Sequence, residues 1–175
     1  MIFDLAKGAV ILVLVGVVQL TVLNSLEFFD GPADLLLCTV VAVSLMRGAV
    51  FGALAGFWAG LIVDIISLGT LGLTSLLFVL VGYSAGWFGE VTSVRSSQAV
   101  RVGITIVSAT VVFFFGIALV TVLLGDTIAF SSSMARVLAP TLFLNLVIAY
   151  PVFFLIRKLF PVPMPTAREV IAAAD

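Results

Sequence analysis

The chain has 175 residues, of which 63% are hydrophobic and 10% charged, and its formal net charge is -1. Soluble domains run nearer ~45–50% apolar and ~25% charged, so this is the composition of an integral membrane protein, and a nucleic-acid footprint is excluded. A single cysteine, Cys38, and no histidine remove intrachain disulfides, thiolate metal cages and the commonest general base; most hydrolytic and metal-dependent chemistries lack their usual parts, and no cofactor or metal is expected.

The first apolar run predicts a membrane span over residues 8–26, close to the ~20 residues that cross a ~30 Å hydrocarbon core. No small-x-small cleavage site follows it, so it reads as a retained span. Gln19 lies inside it, and an amide at that depth needs a partner. Glu27 to Asp34 is an acidic turn broken by Gly31-Pro32, and Asp34 stands where the N-cap carboxylate of the next helix belongs.

From Leu35 to Asp64 the apolar pattern is interrupted only by Arg47-Gly48. One helix of that length would measure ~45 Å and hold Arg47 near mid-membrane, at ~2.5–3.5 kcal/mol on insertion scales. Two short spans, 33–46 and 48–64, joined by a tight Arg47-Gly48 turn avoid that cost. Arg47 then reads as a topology anchor and turn former, with a phospholipid or a neighbouring loop as its counter-charge.

The second of these spans is the most patterned stretch of the chain. Gly48, Gly52, Gly56 and Gly60 fall four apart and form one small-residue stripe on a helix, interleaved with Phe51, Leu54, Phe57, Trp58 and Leu61. In water each glycine would cost ~0.8–1 kcal/mol against alanine. In lipid the same residues let a second backbone approach closely, so the stripe is a seam for helix packing or partner binding. It ends on Asp64, one further step of four. Asp64 reads equally as an acid at the outer end of a short helix, reaching water or capping the loop at Gly69-Thr70, and as a residue that binds a partner or ligand.

Residues 65–70 form a short re-entry loop, and 71–89 a fourth span with Tyr83 and Trp87 as interface anchors. Within it Gly82-Tyr83-Ser84-Ala85-Gly86 matches the G-x-S-x-G elbow of serine hydrolases. That elbow needs a strand-turn-helix context and a base, so small-residue packing explains the pattern and no catalytic residue is assigned. Glu90 to Arg101 reads as a polar connecting loop. The fifth span covers 102–124 and ends at Gly125-Asp126; Ser131 to Ser133 offer capping hydroxyls for a sixth span over 134–159, in which Pro140 and Pro151 predict a bend. Asn145 in this span, like Gln19 in the first, suits an interhelical hydrogen bond worth ~0.6–2 kcal/mol. Residues 161–175 form a short cytoplasmic tail, with a capping box at Thr166 and Glu169. Six spans with both termini cytoplasmic put Lys7, Arg47, Arg95, Arg101, Arg157, Lys158 and Arg168 inside and Arg136 alone outside, which satisfies the positive-inside rule.

At Gln19, Pro32, Asp34-Leu35, Arg47-Gly48, Gly56-Phe57-x-x-Gly60-Leu61-x-x-Asp64, Leu71-Gly72, Gly82-Tyr83 and Gly86 the chain resembles the rod-shape-determining MreD family. The likeness is concentrated in the first half; the second half shares length, hydropathy and a proline-containing last span. Ala33 separates Pro32 from Asp34, which the family usually has adjacent. The resemblance implies a subunit of the bacterial inner membrane that works with the bitopic protein MreC, and through it with MreB filaments and a glycan polymerase–transpeptidase pair. It also implies an all-α integral membrane fold, a compact bundle of six transmembrane helices similar to the substrate-binding subunits of energy-coupling-factor vitamin transporters.

Two functions are therefore carried forward. One is a non-enzymatic scaffold of the cell-elongation machinery whose glycine-seamed bundle offers a groove to the transmembrane helix of MreC and helps position peptidoglycan synthases. The other is a small-molecule binder of the transporter type, in which Asp34, Asp64 and the outer loops line an outward cavity. The scarcity of polar groups favours the scaffold.

Overall fold

The computed structural model of the chain describes residues 11–19, 34–67, 71–92, 98–123, 125 and 132–159. Every element in them is helical. Residues 11–19 form α1; α2 is Leu35–Arg47, α3 Ala49–Ser67, α4 Leu73–Thr92, α5 Gln98–Leu123 and α6 Ser132–Leu159. Helices α3 and α4 and the apolar stretches Gln98–Val120 and Val137–Leu159 of α5 and α6 are each long and apolar enough to cross a membrane, which makes this a multi-pass membrane protein. Helix α2 is apolar but has 13 residues, about 20 Å at 1.5 Å per residue against a ~30 Å hydrocarbon core.

That short helix is the centre of the bundle. Leu36 to Ser44 are buried without a gap, as expected for a helix apolar on every face. Its neighbours are α3, α4, α5 and α6, and from α1 Gly16 lies against Leu36. Two of its polar residues close on their own helix: the Thr39 hydroxyl donates to the Leu35 carbonyl at 2.8 Å and Ser44 to Val40 at 2.6 Å. Cys38 is buried in the apolar core with Leu37, Val40 and Phe78.

Helix α2 stops at Gly48, whose φ of 88° is a conformation glycine adopts without strain, and its N–H donates to the Ser44 carbonyl at 2.9 Å. Helix α3 begins at the next residue, so the long apolar stretch is two helices with a one-residue joint. Two segments expected as loops are helical in part. Helix α3 runs on to Ser67, and α4 to Thr92, while α5 begins at Gln98, so both ends of the predicted Glu90–Arg101 loop are helical, and 93–97 lie outside the described residues. Hydropathy marks where the hydrocarbon core ends, whereas a helix continues into the headgroup layer for as long as its backbone bonds can.

Helix α6 runs as one element through Pro140 and Pro151. The first outer turn, Lys7, Arg95, Arg168, the Arg136 side chain, the serine cap before α6 and the tail with its capping box lie outside the described residues and side chains.

Candidate functional site

Because α2 is short, its N-terminus lies deep in the bundle, beside Asn145 at the middle of α6 and Thr110 at the middle of α5. The first N–H groups of any helix lack partners within it, and buried ones must find them elsewhere. Three side chains supply them here. Asp34 Oδ1 accepts from the Leu37 N–H at 2.9 Å, Gln19 Oε1 accepts from the Leu36 N–H at 2.9 Å, and Asn145 Oδ1 accepts from the N–H of Asp34 itself at 2.9 Å. The amides are held in turn: Gln19 Nε2 donates to Asp34 Oδ1 at 3.4 Å and Asn145 Nδ2 to the Thr110 hydroxyl at 3.2 Å, which itself donates to the Ile106 carbonyl at 2.8 Å. Asp34 is thus the N-cap expected of it, and Gln19 and Asn145 bond between helices, all three on one helix end. The space beyond that end is a cavity of about 230 Å³, with Gln19, Asp34, Thr110 and Asn145 against Phe113, Phe114 and Ile117.

The glycine seam has a different partner. A Cβ on Gly52 would land on the carbonyl oxygen of Gly82, one on Gly56 on the Phe78 carbonyl, one on Gly60 on the Ser75 backbone, and one on Gly86 on the backbone of Ala49 at 2.5 Å. The stripe of α3 is therefore pressed along its whole length against the antiparallel helix α4, backbone to backbone. The groove expected there for a partner's helix is filled by the chain's own α4, since a run of glycines is matched most closely by a second helix carrying glycines of its own, Gly82 and Gly86. The same packing accounts for Gly82-Tyr83-Ser84-Ala85-Gly86: its glycines face α3, and the Ser84 hydroxyl donates to the Val81 carbonyl at 3.0 Å.

Asp64 closes that pair of helices. It is 2% exposed. One carboxylate oxygen accepts from the N–H of Gly72 at 2.8 Å and from the N–H and hydroxyl of Ser75, both at 3.3 Å; the other accepts from the Thr74 N–H at 3.2 Å. These are the orphan donors at the start of α4, so a carboxylate from α3 caps its neighbour, where the helix dipole favours negative charge. Of the two readings of Asp64 the geometry is that of a cap, here on Gly72 to Ser75; the Gly69-Thr70 loop lies outside the described residues. Gly48 has a separate role: with its positive φ it forms the α2–α3 joint, and a side chain there would strike the Glu90 carboxylate. Glu90 Oε1 accepts from the Ala49 N–H at 2.9 Å and so caps α3.

The predicted residues thus fall into two groups. Gln19, Asp34 and Asn145 come together at the head of α2; Gly52, Gly56, Gly60 and Asp64 line the α3–α4 contact, with Gly48 and Arg47 at its far end. Thr110, Ser75 and Glu90 were missed. Glu90 could have been found, being the one acid between Asp64 and Asp126 and one helix away from an Arg-Gly joint with bare N–H groups behind it. Thr110 and Ser75 carry no such mark, because hydroxyls in membrane helices usually bond to their own backbone.

Neither a curated protein sequence nor a solved structure matches the chain. The family model for rod shape-determining protein MreD matches residues 6–162, across the Asp34 cluster, the seam and the Asp64 cap alike. The chain belongs to the MreD family.

Proposed function

We propose that this protein is a non-enzymatic scaffold of the bacterial elongation machinery, holding the transmembrane helix of MreC and so helping to position the peptidoglycan synthases. Membership of the MreD family gives it a part in rod shape determination. The observation that carries the scaffold reading is where the polar groups go. Asp34, Asp64, Gln19, Asn145 and Glu90 each accept from backbone N–H groups of the chain's own helices, so these functional groups hold the bundle together.

With the seam closed by α4, the partner's helix is assigned to the outside of the α3–α4 pair. Val50, Leu54, Phe57, Trp58 and Ile65 stand exposed at helical spacing on α3, and Leu76, Leu80, Tyr83 and Trp87 on α4. Both tryptophans of the chain are among them, and large aromatic side chains on a rigid support are what a helix interface in lipid uses, where fit replaces the hydrophobic effect. MreB and the polymerase and transpeptidase are reached indirectly, through MreC. Arg47, Arg101 and Arg157 line one cavity at a single end of the bundle, which supports an inner-membrane orientation with both termini in the cytoplasm.

The transporter-type reading has less behind it. Its cavity would be the one over Asp34, whose about 230 Å³ falls below the ~300–1,000 Å³ of ligand sites, and the polar groups on its floor already bond to one another or to α2.

Photoreactive residues at Trp58 and Tyr83, compared with Ile104 and Phe115 on α5, test the scaffold in living cells. Capture of MreC from the first pair and not the second is the expected result. Capture from α5 alone, in a strain whose rod shape the variants still support, rejects the α3–α4 face.

A further inference from the structure

At the end of the bundle opposite Asp34, three guanidiniums meet for which the scaffold role has no use. Arg47 closes α2, Arg101 lies in the first turn of α5 and Arg157 in the last turn of α6. Together with Gly48, Glu90 and Gln98 they line a cavity of about 530 Å³, floored by Leu45, Val102 and Phe153. Among the described residues Glu90 is the one acid on its wall, and its Oε1 already accepts from the Ala49 N–H at 2.9 Å. Arg157 Nη1 donates to the neutral Gln98 Oε1 at 2.6 Å. Arg101 Nε is buried and has no acceptor among the described residues. Among the described residues the basin gathers three guanidiniums and one carboxylate, and the Arg101 Nε–H in it is shielded from water without an acceptor, which is an unfavourable state for a buried donor unless an acceptor arrives.

A second, shallower groove of about 450 Å³ leads out of the basin. Gln98, Val102, Phe153 and Arg157 line both spaces, and the groove continues over Ala99, Tyr150, Pro151 and Phe154 between α5 and α6. A charged basin opening into an apolar groove is the outline of an amphiphile, a head joined to a chain. A free anion would use the basin and leave the groove empty. We propose that this site binds one anionic glycerophospholipid, its phosphate among Arg47, Arg101 and Arg157 and one acyl chain along the α5–α6 groove. Guanidinium forks match phosphate oxygens bidentately, and basic pockets between membrane helices at the cytoplasmic side face a leaflet rich in such lipids.

The test uses the purified full chain in an uncharged detergent, titrated with phosphatidylglycerol or phosphatidylcholine of the same acyl chains and read by native mass spectrometry. One phosphatidylglycerol retained per chain, in preference to phosphatidylcholine, is expected. Arg101→Gln and Arg157→Gln should each weaken retention about fivefold, the effect of one basic residue near an anionic headgroup. Arg157 is exposed, so Arg157→Gln keeps its lipid-free melting temperature and decides the matter if Arg101→Gln does not fold. Ala99→Trp, which obstructs the groove, should also release the lipid. Equal retention of the two lipids, or unchanged retention in Arg157→Gln or Ala99→Trp, overturns the proposal. So does displacement by inorganic phosphate at a concentration comparable to the lipid, which would assign the basin to a free anion.

Discussion

Helices α3 and α4 meet through their backbones, whereas α5 and α6 meet through their side chains. On the first pair a Cβ at Gly52, Gly56, Gly60 or Gly82 would collide with a carbonyl oxygen or backbone atoms of the neighbour; on α5 one at Gly103 would sit 3.2 Å from the Tyr150 hydroxyl of α6, and one at Gly116 would likewise meet a side chain, that of Leu77 on α4. The same residue type thus serves two ends. Where backbone faces backbone, glycine is a requirement of the contact, because neither helix has anything flexible to move aside. Where it faces the far end of a side chain, the neighbour can turn away. The consequence for the fold is a tightly packed pair, α3 and α4, and a more open one, α5 and α6, both of which line the arginine basin, the cavity over Asp34 and the groove beside Tyr150.

Substitutions on the two pairs should separate accordingly. The largest effect is expected from Gly56→Leu, which would force α3 and α4 apart at the Phe78 carbonyl; the loss should exceed the ~1–3 kcal/mol of ordinary overpacking, and the readout is failure of the purified chain to give a cooperative melt in detergent. Next comes Asp64→Ala, which leaves the N–H groups of Gly72, Thr74 and Ser75 at the start of α4 without their acceptor and should cost about 2 kcal/mol, seen as a lowered melting temperature. Asp64→Asn, which keeps an acceptor oxygen, should recover part of this. If Asp64→Ala melts like the parent chain, the cap is not what holds α4. Asn145→Leu, at the head of α2, removes one interhelical acceptor and one donor and should cost about 1 kcal/mol, measured in the same melts. The smallest effect belongs to Gly103→Ala on α5. The Tyr150 hydroxyl can give way and alanine favours the helix, so stability should stay within about 0.5 kcal/mol of the parent. A loss at Gly103 as large as that at Gly56 would erase the distinction between the pairs.

Much of α2 to α4 was legible in the sequence, and for physical reasons. The Arg47-Gly48 joint followed from the cost of a mid-membrane arginine, the seam from the four-residue spacing of its glycines, and the Asp34 cap from an acid standing before an apolar run. What the spacing could not say was which backbone lies against the seam, because close approach is a property of two surfaces. Gly82 and Gly86 were visible but separated from α3 by a loop, and only the antiparallel register brings them to Gly52 and Ala49. The depth of the Asp34 cluster was hidden for a related reason: it depends on α2 being shorter than α5 and α6, so that its first turn meets Asn145 and Thr110 at their midpoints. The arginine basin was legible only as a charge bias, since Arg47, Arg101 and Arg157 lie far apart in sequence and are joined by the ends of three helices.

The measurement that bears most directly on the whole account is the thermal stability of Gly56→Ala, purified alone and without MreC, beside its recovery of MreC from membranes. A seam closed inside the fold predicts that this chain is destabilised by itself, with any loss of partner following from that. A chain that melts like the parent yet no longer recovers MreC would contradict the account, and would place the partner's helix on the glycines themselves.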